Sequence, residues 1–368
     1  MPSSILILRG DGAPIDAVAM RSWGTAKAPG RSNALYVDAH NHLLMSHAGW
    51  DGGQPRVLPC DEICSRLQAG DVGAVGLIVG GKRSFPQLVP KSSWWGTLDA
   101  LAQFWRGQAA ASRALRVIRS AEDVDRISPD APGVILGIEG TSLLFDTPLE
   151  DPSAALHLLV RLGVRSVQWL AALPNAAFGA EANPQAPLRL SAAGRELIAE
   201  SNRLGLIIDV AHLTGDDPAF QEILDLSTSP PIASHHSCRA LNESPRALDD
   251  EAIRAIAGAG GVIGVHSGSA YLTASGQQAS PGDFLRQICH IVDLAGVDSV
   301  AVGTDYIDTA RIPIDLPEST FMDGMRGPES LGLLNTRLAE AGFGDGECRK
   351  ILGENVRRVW RASLRPES

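Results

Sequence analysis

The chain has no apolar run long enough to span a bilayer, and its first residues carry no basic flank followed by an apolar stretch. Neither a membrane span nor a secretory signal is therefore expected. Cysteine is scarce: Cys60, Cys64, Cys238, Cys289 and Cys348 are five in number and scattered. An odd, dispersed set argues against a disulfide framework and points to reduced thiols in the cytoplasm. Cys60 and Cys64 have no second pair with which to complete a zinc knuckle. Basic residues are also outnumbered, 32 Lys and Arg against 42 Asp and Glu, for a formal charge of −10. That balance argues against nucleic acid or an anionic membrane surface as the main partner. No G-x-G-x-x-G follows an early strand, so the usual sign of a doubly wound dinucleotide fold is missing. Internal repeats and low-complexity tracts are absent as well. What is there is 368 residues at 44% hydrophobic and 20% charged, enough to bury a large core.

From residue 34 onward the pattern alternates strand and helix. Short runs rich in Val, Ile and Leu occupy 34–38, 73–79, 133–138, 164–170, 206–210, 231–235, 261–266 and 298–303. Runs of that kind suit strands buried on both faces. Helical periodicity fills the gaps, as over 192–204, where Ser191 is the expected N-cap, and over 249–259. Eight such units predict a (β/α)8 TIM barrel over 34–368, preceded by a small β appendage over 1–33. A closing amphipathic helix is expected over 351–360. Two long connections, 80–115 with Trp94, Trp95 and Trp105, and 304–330, rich in Pro, Gly and Asp, are expected to shape a pocket.

Polar residues cluster where these strands end. Asp38-Ala39-His40-Asn41-His42 closes the first, and alternation along a strand puts His40 and His42 on one face. The third strand ends in Glu139, the fifth runs out at His212, the sixth at His235 and the eighth at Asp305. In a barrel all of these converge on one rim. Four imidazoles and a carboxylate suit two borderline divalent ions, with Glu139 as the natural bridge because it has two oxygens to share. Asp305 is better cast as a proton carrier beside them.

Several motifs in order resemble the renal (membrane) dipeptidase family, binuclear zinc barrels of the amidohydrolase superfamily. They are Asp38-Ala39-His40-Asn41-His42, Gly137-Ile138-Glu139-Gly140, the run from Asn202 to His212, Ser234-His235-His236-Ser237, Pro245-Arg246, Gly303-Thr304-Asp305-Tyr306 and Ile351-Leu352-Gly353-Glu354-Asn355. The resemblance implies hydrolysis of a dipeptide or related amide by attack of a hydroxide held between two zinc ions. It implies Glu139 as the bridge, His212 and His235 on one ion, His40 on the other, and Asp305 as catalytic acid and base. Arg246 matches the arginine that holds the substrate carboxylate, a task suited to a guanidinium fork. A homodimer is carried by the resemblance alone.

Three departures qualify that reading. The family has His-Asn-Asp where this chain has His40-Asn41-His42, so a neutral ligand replaces an anion and the site is one unit more positive. Ala171 stands where a histidine or tyrosine usually faces the substrate, and it cannot donate a hydrogen bond to a tetrahedral intermediate. The family's tyrosine after the seventh strand has no evident counterpart in Val262-Ile263-Gly264-Val265-His266-Ser267. His266 is the candidate replacement, or else it fills the rim. Asn175 and His266 join Arg246 as expected substrate contacts. The unusual Trp169-Leu170-Ala171 wall and the Trp-rich connection favour a bulky or apolar substrate. Two alternatives stay open: the same machinery acting on a non-peptide amide, an N-acyl compound or a lactone, and a non-catalytic descendant of the fold. His157 and His290 are expected to be packing or surface groups. His47 is a weak candidate for the pocket, and His236 should support the site from outside the ligand set.

Overall fold

Among the described residues nine parallel strands form, eight of them from short runs too uniformly apolar for amphipathic helices. They are β1 (Tyr36–Asn41), β2 (Val72–Gly80), β3 (Arg116–Val117), β4 (Gly133–Glu139), β5 (Val164–Gln168), β6 (Ile207–Asp209), β7 (Ile232–His236), β8 (Val262–Val265) and β9 (Val300–Val302). The computed structural model describes residues 35–45, 59–80, 93–112, 115–171, 176–178, 187–244, 246–274, 277–308 and 316–365. The appendage expected over 1–33, together with His47, Asn175 and Pro245, lies outside the described residues.

The strand order is β1-β2-β4-β5-β6-β7-β8-β9, with β3 paired to β4 off this path. The eight strands of the path are those expected from the sequence; β3, two residues long, has no run to announce it. The ends of the sheet meet. The Asp305 N–H donates to the His40 carbonyl at 3.0 Å, and the His42 N–H to that of Tyr306 at 2.9 Å. Asp38 fastens the same seam, accepting the Thr304 N–H at 2.8 Å and its hydroxyl at 2.6 Å. A (β/α)8 barrel results.

One apolar cluster lies between strands and helices; a second gathers Val37, Ala74, Ile135, Ile207, Ile232, Val262 and Ala301 from seven strands with Val356, Val359 and Trp360. The closing segment is thus the plug of the barrel's lower end. It begins as a π-helical turn, Lys350–Glu354, and continues as the helix Asn355–Ser363. Asn355 donates to the carbonyls of Val297 and Val300 at 2.7 and 2.9 Å, tying the plug to β9. Gly264 and Gly303 face the Ser234 carbonyl so closely that a Cβ would fall 2.0 and 1.6 Å from its oxygen. Only glycine lets three backbones meet there.

Helix boundaries follow local chemistry. Ser191 caps the helix Ala192–Leu204 by accepting the Gly194 N–H, and Gly205, at φ +67°, ends it in the left-handed region. The tryptophan-bearing connection differs from expectation: Ser93–Ala110 is a helix. Trp94 is buried in the core, Trp95 is exposed, and Trp105 donates to the Leu162 carbonyl at 2.9 Å while the Arg119 guanidinium covers its ring. Helical spacing sends these rings to the barrel's flank, and none of the three lines the cleft described below. Trp169 likewise packs into the core at 0% exposure. The other long connection does reach the rim, and Arg66 holds it there through Glu329 at 2.6 Å and Asp308 at 2.8 Å.

Candidate metal centre

At the carboxyl ends of β1, β4, β6, β7 and β9 the chain gathers His40, His42, Glu139, His212, His235 and Asp305. All but Asp305 are buried. The His40 and His42 Nε2 atoms are 3.3 Å apart, so the paired orientation expected from strand alternation holds despite a register shift between Asp38 and Asn41. His42 Nε2 lies 3.1 Å from Glu139 Oε2 and 2.9 Å from Asp305 Oδ1. His212 Nε2 lies 2.9 Å from His235 Nε2 and 3.8 Å from Glu139 Oε1. Glu139 thus presents one oxygen to each imidazole pair. Two sets, His40–His42–Glu139 and His40–His235–Asp305, each bring three donor atoms close enough to share one cation.

The chemistry of the donors fits divalent ions. His212 Nδ1 donates to the Ala171 carbonyl at 2.9 Å, which makes Nε2 the nitrogen suited to ligation. Burial, reinforced by neighbouring His40, drives the His235 pKa well below the ordinary imidazole value, so that ring is neutral too. Ligands of a tetrahedral zinc, each about 2.0–2.1 Å from the ion, stand about 3.3 Å apart. The spacings of 2.9 to 3.8 Å among these donors bracket that value. His212 and Asp305 hold φ values of +72° and +50°, left-handed conformations uncommon outside glycine. Both lie just past a strand end, where the turn swings the side chain over the barrel mouth.

His266 belongs to the same rim. Its Nδ1 accepts the Gly268 N–H at 2.7 Å, so its hydrogen is on Nε2, which donates to Asp305 Oδ2 at 3.1 Å. His236 faces away from the ligand set, as expected. Its Nε2 accepts the His212 N–H at 3.1 Å and its Nδ1 donates to the Arg246 carbonyl at 2.9 Å. Burial pushes its pKa down to about 3. His236 therefore links His212 to the Arg246 backbone. His157 and His290 pair with Glu200 and Asp250, remote from the rim. Asp38 and Asp209, beneath the site, are both raised to about 6 by burial, despite the hydrogen bonds each accepts.

A cleft of about 460 Å³ opens beside these residues, lined among others by His212, Arg246, His266, Tyr271, Asp305 and Phe321. Arg246 is thus on the same opening as Asp305. Ala171 is buried and its carbonyl is used by His212, so it offers the cleft no side-chain donor. Tyr271 escaped the sequence reading. It stacks on His266, ring centroids 4.1 Å apart and planes 28° from parallel. Its only signal was scarcity, since the chain has three tyrosines. Phe321, from the Pro- and Gly-rich connection, was missed because no local period marks it.

A closed parallel barrel with imidazoles and carboxylates at its mouth has the build of a metal-dependent enzyme. A sequence profile described as membrane dipeptidase (peptidase family M19) matches residues 33–365, and the chain belongs to that family. An uncharacterized protein of the pqqA 5′ region in Klebsiella pneumoniae is 32% identical over 282 residues, 72% of this chain and 94% of the relative. An uncharacterized dipeptidase of Schizosaccharomyces pombe is 28% identical over 231 residues, 62% of this chain but 53% of that longer relative. The crystal structure of a metallo peptidase from Rhodobacter sphaeroides, liganded with a phosphinate mimic of L-Ala-D-Ala, superposes with a TM-score of 0.71 at 21% identity. It covers 90% of this chain and 100% of its own. The protein is a metal-dependent hydrolase of the dipeptidase type.

Proposed function

We propose that the enzyme cleaves a dipeptide or dipeptide-like amide with a free carboxylate, using two divalent ions, zinc foremost. His40 and His42 would hold one ion, His212 and His235 the other, and Glu139 would span both. Bound there, the ions would supply a polarised carbonyl and a nucleophile at neutral pH. Arg246 pairs with the substrate carboxylate through its guanidinium fork and fixes the amide in the cleft. Asp305 takes the proton released by the attacking water on Oδ1 and delivers it to the leaving nitrogen. His266, donating to Oδ2, keeps Oδ1 turned toward the centre. The Tyr271 ring stacked on His266 restrains that imidazole and offers the substrate a flat apolar wall.

The observation that carries this reading is the donor ring itself, six side chains from five strand ends with ligand atoms within 2.9 to 3.8 Å of a neighbour. Five buried thiols are consistent with a reducing compartment such as the cytoplasm. Elemental analysis combined with a panel of dipeptides, N-acyl amino acids and lactones tests the proposal. Two ions per chain and dipeptide turnover are expected. Turnover of N-acyl compounds or lactones alone would transfer the machinery to another substrate. Protein that binds no divalent ion would end the reading.

A further inference from the structure

One serine stands between the two halves of the centre. Ser234, in β7, places its hydroxyl oxygen 3.1 Å from Nδ1 of His40 and 3.0 Å from Nδ1 of His235. The Asp209 carboxylate lies beside the same hydroxyl. Asp209 is held in turn by the N–H groups of Ala211 and Ser234 at 2.9 and 3.0 Å. All four side chains are buried, at no more than 2% exposure.

A hydroxyl has one hydrogen and two lone pairs. A carboxylate only accepts, so Asp209 takes the hydroxyl hydrogen. The oxygen must then accept from both imidazoles, each of which carries its hydrogen on Nδ1. Both Nε2 lone pairs are thereby left facing the rim. If the hydroxyl hydrogen turned to either ring, that ring would move its own hydrogen to Nε2 and cease to be a ligand. We infer that Ser234, oriented by Asp209, is a positioning residue shared by the two ion sites, fixing the tautomer and aim of one imidazole at each and so coupling their affinities. The inference rests on the two-ion reading above.

The test is metal binding rather than turnover. Zinc stoichiometry by elemental analysis, stepwise competition with a chromophoric chelator, and the visible spectrum of the cobalt(II)-substituted protein are compared for wild type, Ser234→Ala and Asp209→Asn. Loss of a ligand's outer partner typically costs about 10- to 100-fold in affinity. For Ser234→Ala both zinc sites are expected to weaken together by that factor, with altered cobalt bands. Metal-free protein should melt within a few degrees of wild type. Asp209→Asn, which keeps the hydroxyl but removes the anion that orients it, should show a smaller change of the same kind. It carries the test alone if Ser234→Ala does not fold. Weakening confined to one site would overturn the inference. So would unchanged affinity, or a melting-point loss in metal-free protein without any change in affinity. Wild type holding fewer than two zinc ions would instead overturn the two-ion reading.

Discussion

Replacing His42 by Asp returns an anion to the most crowded corner of the site. His42 Nε2 is 2.9 Å from Asp305 Oδ1 and 3.1 Å from Glu139 Oε2, and both carboxylates keep their places in the variant. Two unit charges 4 Å apart interact by about 4 kcal/mol at an effective dielectric constant near 20. The new carboxylate faces two such partners but has a shorter side chain, and it can take up a proton to relieve the repulsion. A net loss of about 3 kcal/mol in metal-free protein is therefore expected, about 4–6 °C in melting temperature for a chain of this length. With divalent ions bound part of that loss is recovered, because an anionic ligand replaces a neutral one. A tenfold gain in affinity adds about 1.4 kcal/mol of stabilisation. The assay is thermal melting of wild type and His42→Asp with a chelator and with saturating zinc. The chelator-treated variant should melt lower than wild type, and the rise on adding zinc should be larger. The acidic limb of the kcat/KM profile should also move to higher pH, since a less positive centre acidifies water less. Equal melting in chelator together with an equal zinc increment would refute the placement of His42 at the ions.

Asp305→Asn should retain its metal content and lose about 10²- to 10⁴-fold in kcat, the usual worth of a positioned acid–base group; near-normal turnover would remove Asp305 from proton transfer. Arg246→Lys keeps the charge but not the fork, so KM for a dipeptide should rise about tenfold or more with kcat changing less. A fall in kcat at constant KM would mean that Arg246 acts elsewhere. Gly303→Ala puts a methyl 1.6 Å from the Ser234 carbonyl oxygen, a backbone atom that cannot swing aside. Destabilisation above about 3 kcal/mol in urea titration is expected, beyond the common range for an overpacked core; a neutral result would show that this layer of the barrel can dilate.

The barrel and the convergence of donor side chains at its mouth were legible in the sequence for one reason. Buried parallel strands are continuous apolar runs, and the residue that ends each run points into the mouth. His40, Glu139, His212, His235 and Asp305 are all read by that rule, and the order of motifs carried the family. Where an outcome depends on contacts between distant segments, the sequence is silent. Nothing local says that Trp94 and Trp105 ride on one helix and pack against the barrel wall. Nor does anything near Tyr271 announce a partner five residues earlier, because the stack depends on how Gly268 leads into the short helix Ser269–Leu272. The double duty of His236 was half visible: alternation turned it away from His235, but its grip on the Arg246 carbonyl needs the loop to fold back. Arg66 reads as a surface base until Asp308 and Glu329 arrive beside it.

The seam between the first and last strands gives the centre a place in the order of folding. Asp38 and Thr304, which close it, are 266 residues apart along the chain. Joining ends over that contour costs about 5 kcal/mol in loop entropy, an amount set by (3/2)RT ln n. His40 stands on one side of the junction and Asp305 on the other, so neither imidazole pair has its full surroundings until β9 docks. The His40–His235–Asp305 donor set is therefore complete only once that last stave is in place, whereas His40, His42 and Glu139 can meet before it.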